Sequence, residues 1–196
     1  MLIIDSREKE GSKLVKLVEE RARILNIQTE KKWLEIGDYV FSDVCFEAKS
    51  VVDFIGSVMS KRLWTQLDNM DRHYKNNVVI IYGDLSEGIH NIIEHSKSKL
   101  PIASRKIMLS NKFLGAIGRI VLDTDIKPFW VKSEEEASLI ITAICKMQPI
   151  KREVIRPQVF KRISTDDLRL DILTSIKGVS YKKAKVLIDT FGSVME

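Results

Sequence analysis

The sequence predicts an α/β fold, a mixed sheet with helices on both faces, followed by a small all-α segment. Three observations carry this. Short apolar or β-branched runs alternate with stretches of helical period up to about residue 146. The run Val78-Val79-Ile80-Ile81-Tyr82 is apolar on both faces, as a strand at the centre of a covered sheet must be. Over 147–165 the alternation stops, replaced by Pro149, Pro157 and the basic residues Lys151, Arg152, Arg156, Lys161 and Arg162 against Glu153. The expected organisation is therefore a domain over 1–146, a basic linker over 147–165 and a helical segment over 166–196.

Taken in order, Leu2-Ile3-Ile4-Asp5 reads as a short buried strand. Leu14, Leu17, Val18, Arg21, Ala22 and Leu25 share helical spacing and predict an amphipathic helix over about 12–26. Tyr39-Val40-Phe41 and Val44-Cys45-Phe46-Glu47-Ala48-Lys49 are two strands around a Ser42-Asp43 turn. Ser50-Val51-Val52-Asp53 matches a capping box. The helix it opens runs through Ile55, Val58, Met59, Leu63 and Leu67 to about Tyr74, with a break near Ser60. The Val78–Tyr82 strand ends at Gly83, residues 104–122 are mostly helical, and Pro128-Phe129-Trp130-Val131 is a last strand. Ser133-Glu134-Glu135-Glu136 is a second capping box, with Ala137, Ile140, Ile141 and Ile144 inside its helix. Two short helices follow, about 166–176 and 181–190, joined by Lys177-Gly178-Val179-Ser180.

Composition narrows the classes. Of 196 residues 44% are hydrophobic, enough for a real core and against wholesale disorder. The longest apolar run is far too short to span a bilayer, and Asp5, Arg7 and Glu8 interrupt the first one, so neither a membrane partner nor a signal peptide is expected. Net charge is +5, a mild bias toward anionic partners that decides nothing alone. Cys45 and Cys145 lie far apart with no metal spacing, which suits a reducing compartment.

The chemistry concentrates near the amino end. Side chains alternate across a strand, so Glu47 and Lys49 share one face while Val44, Phe46 and Ala48 take the other. A carboxylate and an ammonium together are not what a buried strand usually carries. Asp38, after Gly37, begins the partner strand of the hairpin and can approach Glu47. On this reading Asp38 and Glu47 hold a divalent cation and Lys49 orients or activates water. Mg²⁺ keeps several waters, so two carboxylates suffice. The competing reading is a surface charge pair beside a common Gly-Asp turn. Asp5-Ser6-Arg7-Glu8 sits at the end of the first strand, where open α/β sheets gather functional groups; its alternatives are a polar loop or a helix cap.

Asp5-Ser6-Arg7-Glu8, Gly37-Asp38-Tyr39, and Glu47-Ala48-Lys49 followed four residues on by Asp53 together resemble the XPF/Mus81 (ERCC4-type) nuclease family. The stretch from Lys61 to Leu67 resembles the family's basic helix after the active site, and the likeness covers about 1–146 and continues into the tail. This resemblance implies a PD-(D/E)XK, restriction-endonuclease-like sheet. It implies hydrolysis of phosphodiester bonds near branch points, such as 3′-flaps and forks, in DNA repair and recombination, with Mg²⁺ or Mn²⁺. By the same resemblance Asp38 and Glu47 bind the metal, Lys49 is catalytic, and Asp5, Arg7 and Glu8 complete the site. Asp53 supports it, or else serves only as the acidic residue of its capping box. Arg62 and Gln66 contact the active site or DNA, or else belong to a solvated helix face.

The partners implied are branched double-stranded DNA, a second copy bound through the nuclease domain, and, as an open question, a sliding clamp. With no helicase ahead of Met1, the chain resembles the short archaeal form, which implies the cytoplasm and nucleoid; a eukaryotic source would imply the nucleus. One departure stands out: the family pattern is Glu-Arg-Lys, and this chain has Ala48 in the middle. Alternation places Ala48 away from Glu47 and Lys49, so the ligands survive, but activity is expected to be weakened if the arginine has a role. A non-catalytic DNA-binding subunit is therefore an alternative, and a Holliday-junction resolvase using similar chemistry is a third.

The tail resembles a helix-hairpin-helix motif, with Lys177, Gly178, Val179, Ser180, Lys182 and Lys183 as its DNA contacts. A tight glycine turn at a helix N-terminus offers backbone N–H groups to a phosphate, and lysines add counterion release. Ser180 replaces the usual second glycine, and a plain two-helix hairpin is the alternative. The family carries two such motifs, so the segment is expected to be truncated after the first. Trp33, Trp64 and Trp130 are expected to pack, His90 and His95 to be exposed, and Cys45 to be a small buried hydrophobe.

Overall fold

A computed structural model describes residues 1–8, 12–96, 98, 100–147, 168–176 and 178–191. The expected linker and Lys177 lie almost entirely outside these residues. The chain forms two compact units, Met1–Gln148 and Pro149–Glu196.

In the first unit the strands are β1 (Leu2–Asp5), β2 (Thr29–Lys32), β3 (Tyr39–Phe41), β4 (Val44–Ser50), β5 (Asn76–Tyr82) and β6 (Lys127–Val131). They form one sheet in the order β2-β1-β3-β4-β5-β6. β3 runs antiparallel to both neighbours, and every other pair is parallel. This is the mixed sheet expected from the alternation of elements. β5 lies between β4 and β6, matching its apolar character on both faces.

One strand was not expected. Thr29–Lys32 is exposed throughout and has no apolar alternation. It is held by parallel pairing to β1, from Leu2↔Thr29 to Asp5↔Lys32. An edge strand with two wet faces needs no hydrophobic pattern, and its charged residues discourage further pairing.

Helices cover both faces. α1 (Lys13–Ile24) and α6 (Glu134–Lys146) lie on one. There Leu14, Val15, Val18, Ala137, Ile141 and Cys145 pack on Leu2, Ile4, Tyr39, Phe46, Val78 and Ile80. α2 (Val51–Met59), α3 (Arg62–His73), α4 (Leu85–Glu94) and α5 (Ile102–Asp123) lie on the other. Phe54, Leu63, Leu67, Met70, Ile89 and Phe113 are among the residues there that pack on Val40, Cys45, Val79 and Ile81. Phe54 meets Phe113 edge to face at 5.4 Å. Each buried Val, Leu, Ile, Phe or Met there contributes about 1.5–3 kcal/mol.

Both expected serine N-caps form. Ser50 Oγ accepts from Asp53 N at 3.1 Å, and Ser133 Oγ from Glu136 N at 3.4 Å. The expected break near Ser60 is real: Lys61 sits at φ 62, a left-handed conformation that ends α2 and re-aims the chain into α3.

In the second unit α7 (Leu168–Thr174) and α8 (Tyr181–Phe191) flank a turn at Gly178, whose φ of 94 requires glycine.

Candidate active site

The site begins with a glycine whose place any side chain would strain. Gly37 sits at φ 80, and a Cβ there would come within 2.3 Å of Cys45 Sγ. This close approach to β4 delivers Asp38 to the start of β3. Asp38 is then fixed from both sides. Its N–H donates to Phe46 O at 2.8 Å, its carbonyl accepts from Asp5 N at 2.8 Å, and its Oδ2 accepts from Ala48 N at 2.8 Å.

Glu47 and Lys49 lie on the face of β4 that carries Cys45, toward the α2–α5 layer, and are 4% and 7% exposed. Lys49 Nζ donates to Glu47 Oε1 at 2.5 Å, and Gln66 Nε2 of α3 donates to the same oxygen at 3.0 Å. The helix break at Lys61 therefore matters: it sets the direction of the helix that steadies Glu47. Gln66 Oε1 is enclosed and has no hydrogen-bond partner among the described residues.

Asp5 plays a different part from Asp38. Burial alone would raise its pKa, but the Arg7 side chain, Arg7 N–H and Leu34 N–H hold it below the usual carboxylate range. Arg7 Nε donates to Asp5 Oδ2 at 2.8 Å and Arg7 N to Oδ1 at 3.1 Å, while Leu34 N lies 3.4 Å from Oδ1. Both oxygens are engaged, so Asp5 frames the site and holds Arg7. Arg7 Nη2 also donates to Leu34 O.

Glu8 closes the acidic side. Burial, then the charges of Asp5 and Glu47, push its carboxyl up. Asp38 is raised further. Burial, then Glu47, then Glu8 hold it well above the usual range, outweighing the Ala48 N–H and Lys49. The ends of β1 and β4 and the start of β3 thus gather more negative charge than their own cations neutralise.

The donor set can be tested against a divalent cation. Among the described residues no three His, Cys, Asp or Glu side chains are grouped as metal ligands. Asp38 and Glu47 each have one oxygen in a hydrogen bond and a second with no protein partner among the described residues. Neither second oxygen is among the enclosed atoms left unsatisfied. Two hard oxygen donors with an accessible oxygen each fit Mg²⁺ or Mn²⁺, which keeps most of its shell as water.

The remaining expected residues are placed as follows. Asp53 is exposed, and its Oδ2 lies 2.6 Å from Ser50 Oγ in the capping box. Arg62 is exposed at the start of α3, without an ion pair among the described residues, and shares a helix face with Gln66 four residues on. Ala48 turns to the opposite side of the sheet, against the Tyr39–Phe46 cluster. It serves Asp38 through its backbone.

Sequence reasoning missed Trp33. It was expected to pack, yet it is 59% exposed and belongs to neither core cluster. The Arg7 guanidinium lies over its ring, 5.4 Å from the centroid. Trp64 is half-buried under Arg119, and Trp130, also partly exposed, packs edge-on against Phe113 at 4.9 Å.

In the second unit, Ser180 caps α8, its Oγ accepting from Lys183 N at 3.4 Å. Val179 N donates to Ile176 O at 3.0 Å across the Gly178 turn. Lys182 and Lys183 are exposed, and Lys183 Nζ reaches Gly178 O at 3.4 Å. Leu173 and Ala184 are buried, while Ile176, Val186 and Phe191 are exposed.

Comparison with known proteins bears on this geometry. The ERCC4 domain profile matches residues 4–144, and the chain belongs to that family. A Methanocaldococcus jannaschii protein named as an ATP-dependent RNA helicase is 32% identical over 98% of this chain, which spans 22% of that relative. The 3′-flap repair endonuclease Xpf of Saccharolobus solfataricus is 26% identical over 97% of this chain and 75% of its own length. Among solved structures, XPF from Aeropyrum pernix in complex with DNA superposes with a TM-score of 0.56 at 24% identity, covering 98% of this chain and 82% of that one. The last likeness establishes the shared fold. Among the described residues, no helix is long and apolar enough to cross a membrane.

Proposed function

Proceeding from that membership, we propose that the chain is a structure-specific DNA endonuclease that hydrolyses phosphodiester bonds near branch points, such as 3′-flaps and forks, with Mg²⁺ or Mn²⁺. The observation that carries this is the half-buried Asp38 beside the buried Glu47–Lys49 pair, with Asp38 held well above its ordinary pKa by burial and by Glu47. A surface charge pair lies in solvent; the Glu47–Lys49 pair is enclosed, with further carboxylates beside it. The related 3′-flap endonuclease supports the choice of substrate.

Asp38 and Glu47 would hold the metal through their free oxygens. The ion, when bound, supplies a water of lowered pKa and neutralises charge on the phosphate oxygens. The chain's own groups do the rest. Gln66 and Lys49 keep the Glu47 carboxylate in one orientation. Lys49 Nζ orients the attacking water or meets the phosphate charge. Arg62 lies on the face of α3 that leads to Gln66 and would hold a flanking backbone phosphate. Lys182, Lys183 and the Gly178–Ser180 turn would take a further phosphate without reading sequence, and Lys177, outside the described residues, would join them. We take the nuclease domain as 1–146 and the helix-hairpin-helix segment as 166–196.

A second copy would bind through α5. Ile107, Leu114 and Val121 recur every seven residues and are 63%, 53% and 58% exposed. A Cβ built on Gly115 or Gly118 beside them meets nothing, so a partner helix can approach closely. A self-matching apolar stripe of this kind suits a two-fold dimer.

The test is metal-dependent cleavage of a flapped duplex. The full chain should cut it and Asp38→Ala should not. Ala48 favours a second reading, a non-catalytic DNA-binding subunit. Salt-sensitive binding without cutting by the parent chain would select that reading.

A further inference from the structure

We propose that Trp33 and Arg7 form a stacking platform that takes an unpaired DNA base beside the candidate active site. This goes beyond the cleavage reading and rests on it for the identity of the nucleic acid.

The segment Lys31-Lys32-Trp33-Leu34 leaves β2 at Lys32. Its two last residues are treated oppositely by the fold. Leu34 is 8% exposed and pinned, its N–H toward Asp5 Oδ1 and its carbonyl accepting from Arg7 Nη2. Trp33 is 59% exposed, although an indole is among the side chains a core gains most by burying. Fixing the backbone one residue away while leaving the ring in solvent presents a flat apolar surface at a defined place.

Arg7 fixes the ring's orientation. Its guanidinium is itself tied to Asp5, Nη2 to Oδ2 at 2.7 Å and Nε to Oδ2 at 2.8 Å. It lies over the indole at 5.4 Å, within cation–π range. The stack of guanidinium on indole is therefore assembled before any ligand arrives, which lowers the entropy lost on binding. No other aromatic ring among the described residues packs on Trp33. Exposed Lys32 adjoins it on the chain and suits the phosphate of a stacked nucleotide.

The place is also informative. Asp5, which holds Arg7, donates its N–H to the carbonyl of Asp38 at 2.8 Å. The platform is thus two hydrogen bonds removed, through Asp5, from a candidate metal ligand. A base inside a duplex has both faces covered and cannot use such a surface. A base in a single-stranded arm can, whatever its identity, because every base has a π-face. The platform therefore distinguishes DNA with an unpaired arm from plain duplex, at the side of the scissile bond.

The experiment compares two labelled DNAs with the full chain in EDTA, so that nothing is cut: a blunt duplex, and the same duplex with a single-stranded arm of about ten nucleotides. Binding is read by fluorescence anisotropy for the parent, Trp33→Ala and Trp33→Phe, each checked for an unchanged melting midpoint. A 2-aminopurine in the arm reports stacking directly. The expected result is a preference of the parent for the arm-bearing DNA that falls about tenfold in Trp33→Ala and is largely kept in Trp33→Phe. The 2-aminopurine quenching should vanish in Trp33→Ala. An unchanged preference and unchanged quenching in Trp33→Ala would overturn the proposal. The cleavage reading is judged separately, by cutting of the flapped duplex once Mg²⁺ is added to the parent. Trp33-dependent arm preference without cutting would leave the platform standing and remove the nuclease.

Discussion

Two acid-rich regions of the first unit look alike in sequence and behave oppositely in the fold. One is the candidate site, with Glu8, Asp38 and Glu47 around the start of β3. The other is the start of α6, where Glu134, Glu135 and Glu136 follow the Ser133 cap. At α6, Lys13 lies 2.6 Å from Glu135, and this bond with the helix-terminal N–H groups pulls its pKa down to about 2. At the site, burial and like charge drive Asp38 the other way. Glu135 has its cation and its N–H donor from the protein. The acids at the site are not so matched, and a deficit of positive charge inside a fold is what a cation relieves. Acidic content alone locates nothing; enclosure beside other carboxylates separates Asp38 from the solvated cap.

That contrast can be broken by mutation. The largest effect expected is on cleavage. Asp38→Ala or Glu47→Gln should lower the rate on a flapped duplex by on the order of 10³-fold, as loss of a principal electrostatic group does. Glu135→Gln should leave that rate unchanged in the same assay. Equal losses in both regions would erase the distinction.

Next comes Gln66→Ala. Gln66 acts on Glu47 rather than on the substrate, and loss of such an outer partner typically lowers activity or metal affinity by about 10–100-fold. A metal titration of cleavage should show the loss partly recovered at high Mg²⁺, which a general packing defect would not do.

Stability separates the regions again. Gly37→Ala meets a positive φ and a close sulfur, and should destabilise the chain by about 2–3 kcal/mol or more in urea titration. Glu135→Gln removes an exposed pair and should leave the unfolding midpoint within experimental error, since such pairs are solvated and screened. The smallest effect expected is from Ala48→Arg. Its side chain points to the α1–α6 side, so the cation response should be retained and turnover should change far less than in Lys49→Ala.

Much of the fold and the convergence of residues at the heart of the candidate site were legible in the sequence, for identifiable reasons. β4 has a strict two-residue period, so Glu47 and Lys49 fell on one face without any structure. The short Ser42-Asp43 turn forced Asp38 toward them. The two capping boxes fixed helix starts because their signal is local. What was not legible lacks a local signal. β2 is wet on both sides and carries no periodicity, so the strand was missed and Trp33 beyond it was misread as packing. The hold of Asp5 on Arg7 and Leu34 joins residues 29 apart in sequence. The reach of Gln66 to Glu47 depends on the turn at Lys61, where a lysine, not a glycine, takes the left-handed conformation.

The central claim is that Asp38 carries an uncompensated burden that a divalent cation removes, and melting midpoints of the full chain and Asp38→Asn test it most directly. Burial and then Glu47 hold Asp38 above its ordinary 3.8, so the folded chain binds that proton more tightly than the unfolded one. Its contribution to stability is therefore full below 3.8 and is lost as pH rises from there through the raised value. Near pH 8 without metal, Asp38→Asn should melt higher than the parent, since its amide oxygen can still accept from Ala48 N without the charge. Adding Mg²⁺ or Mn²⁺ should raise the parent's midpoint, more at pH 8 than at pH 5, and leave Asp38→Asn unmoved. A variant that melts lower than the parent without metal, or that gains as much from the cation, would contradict the account.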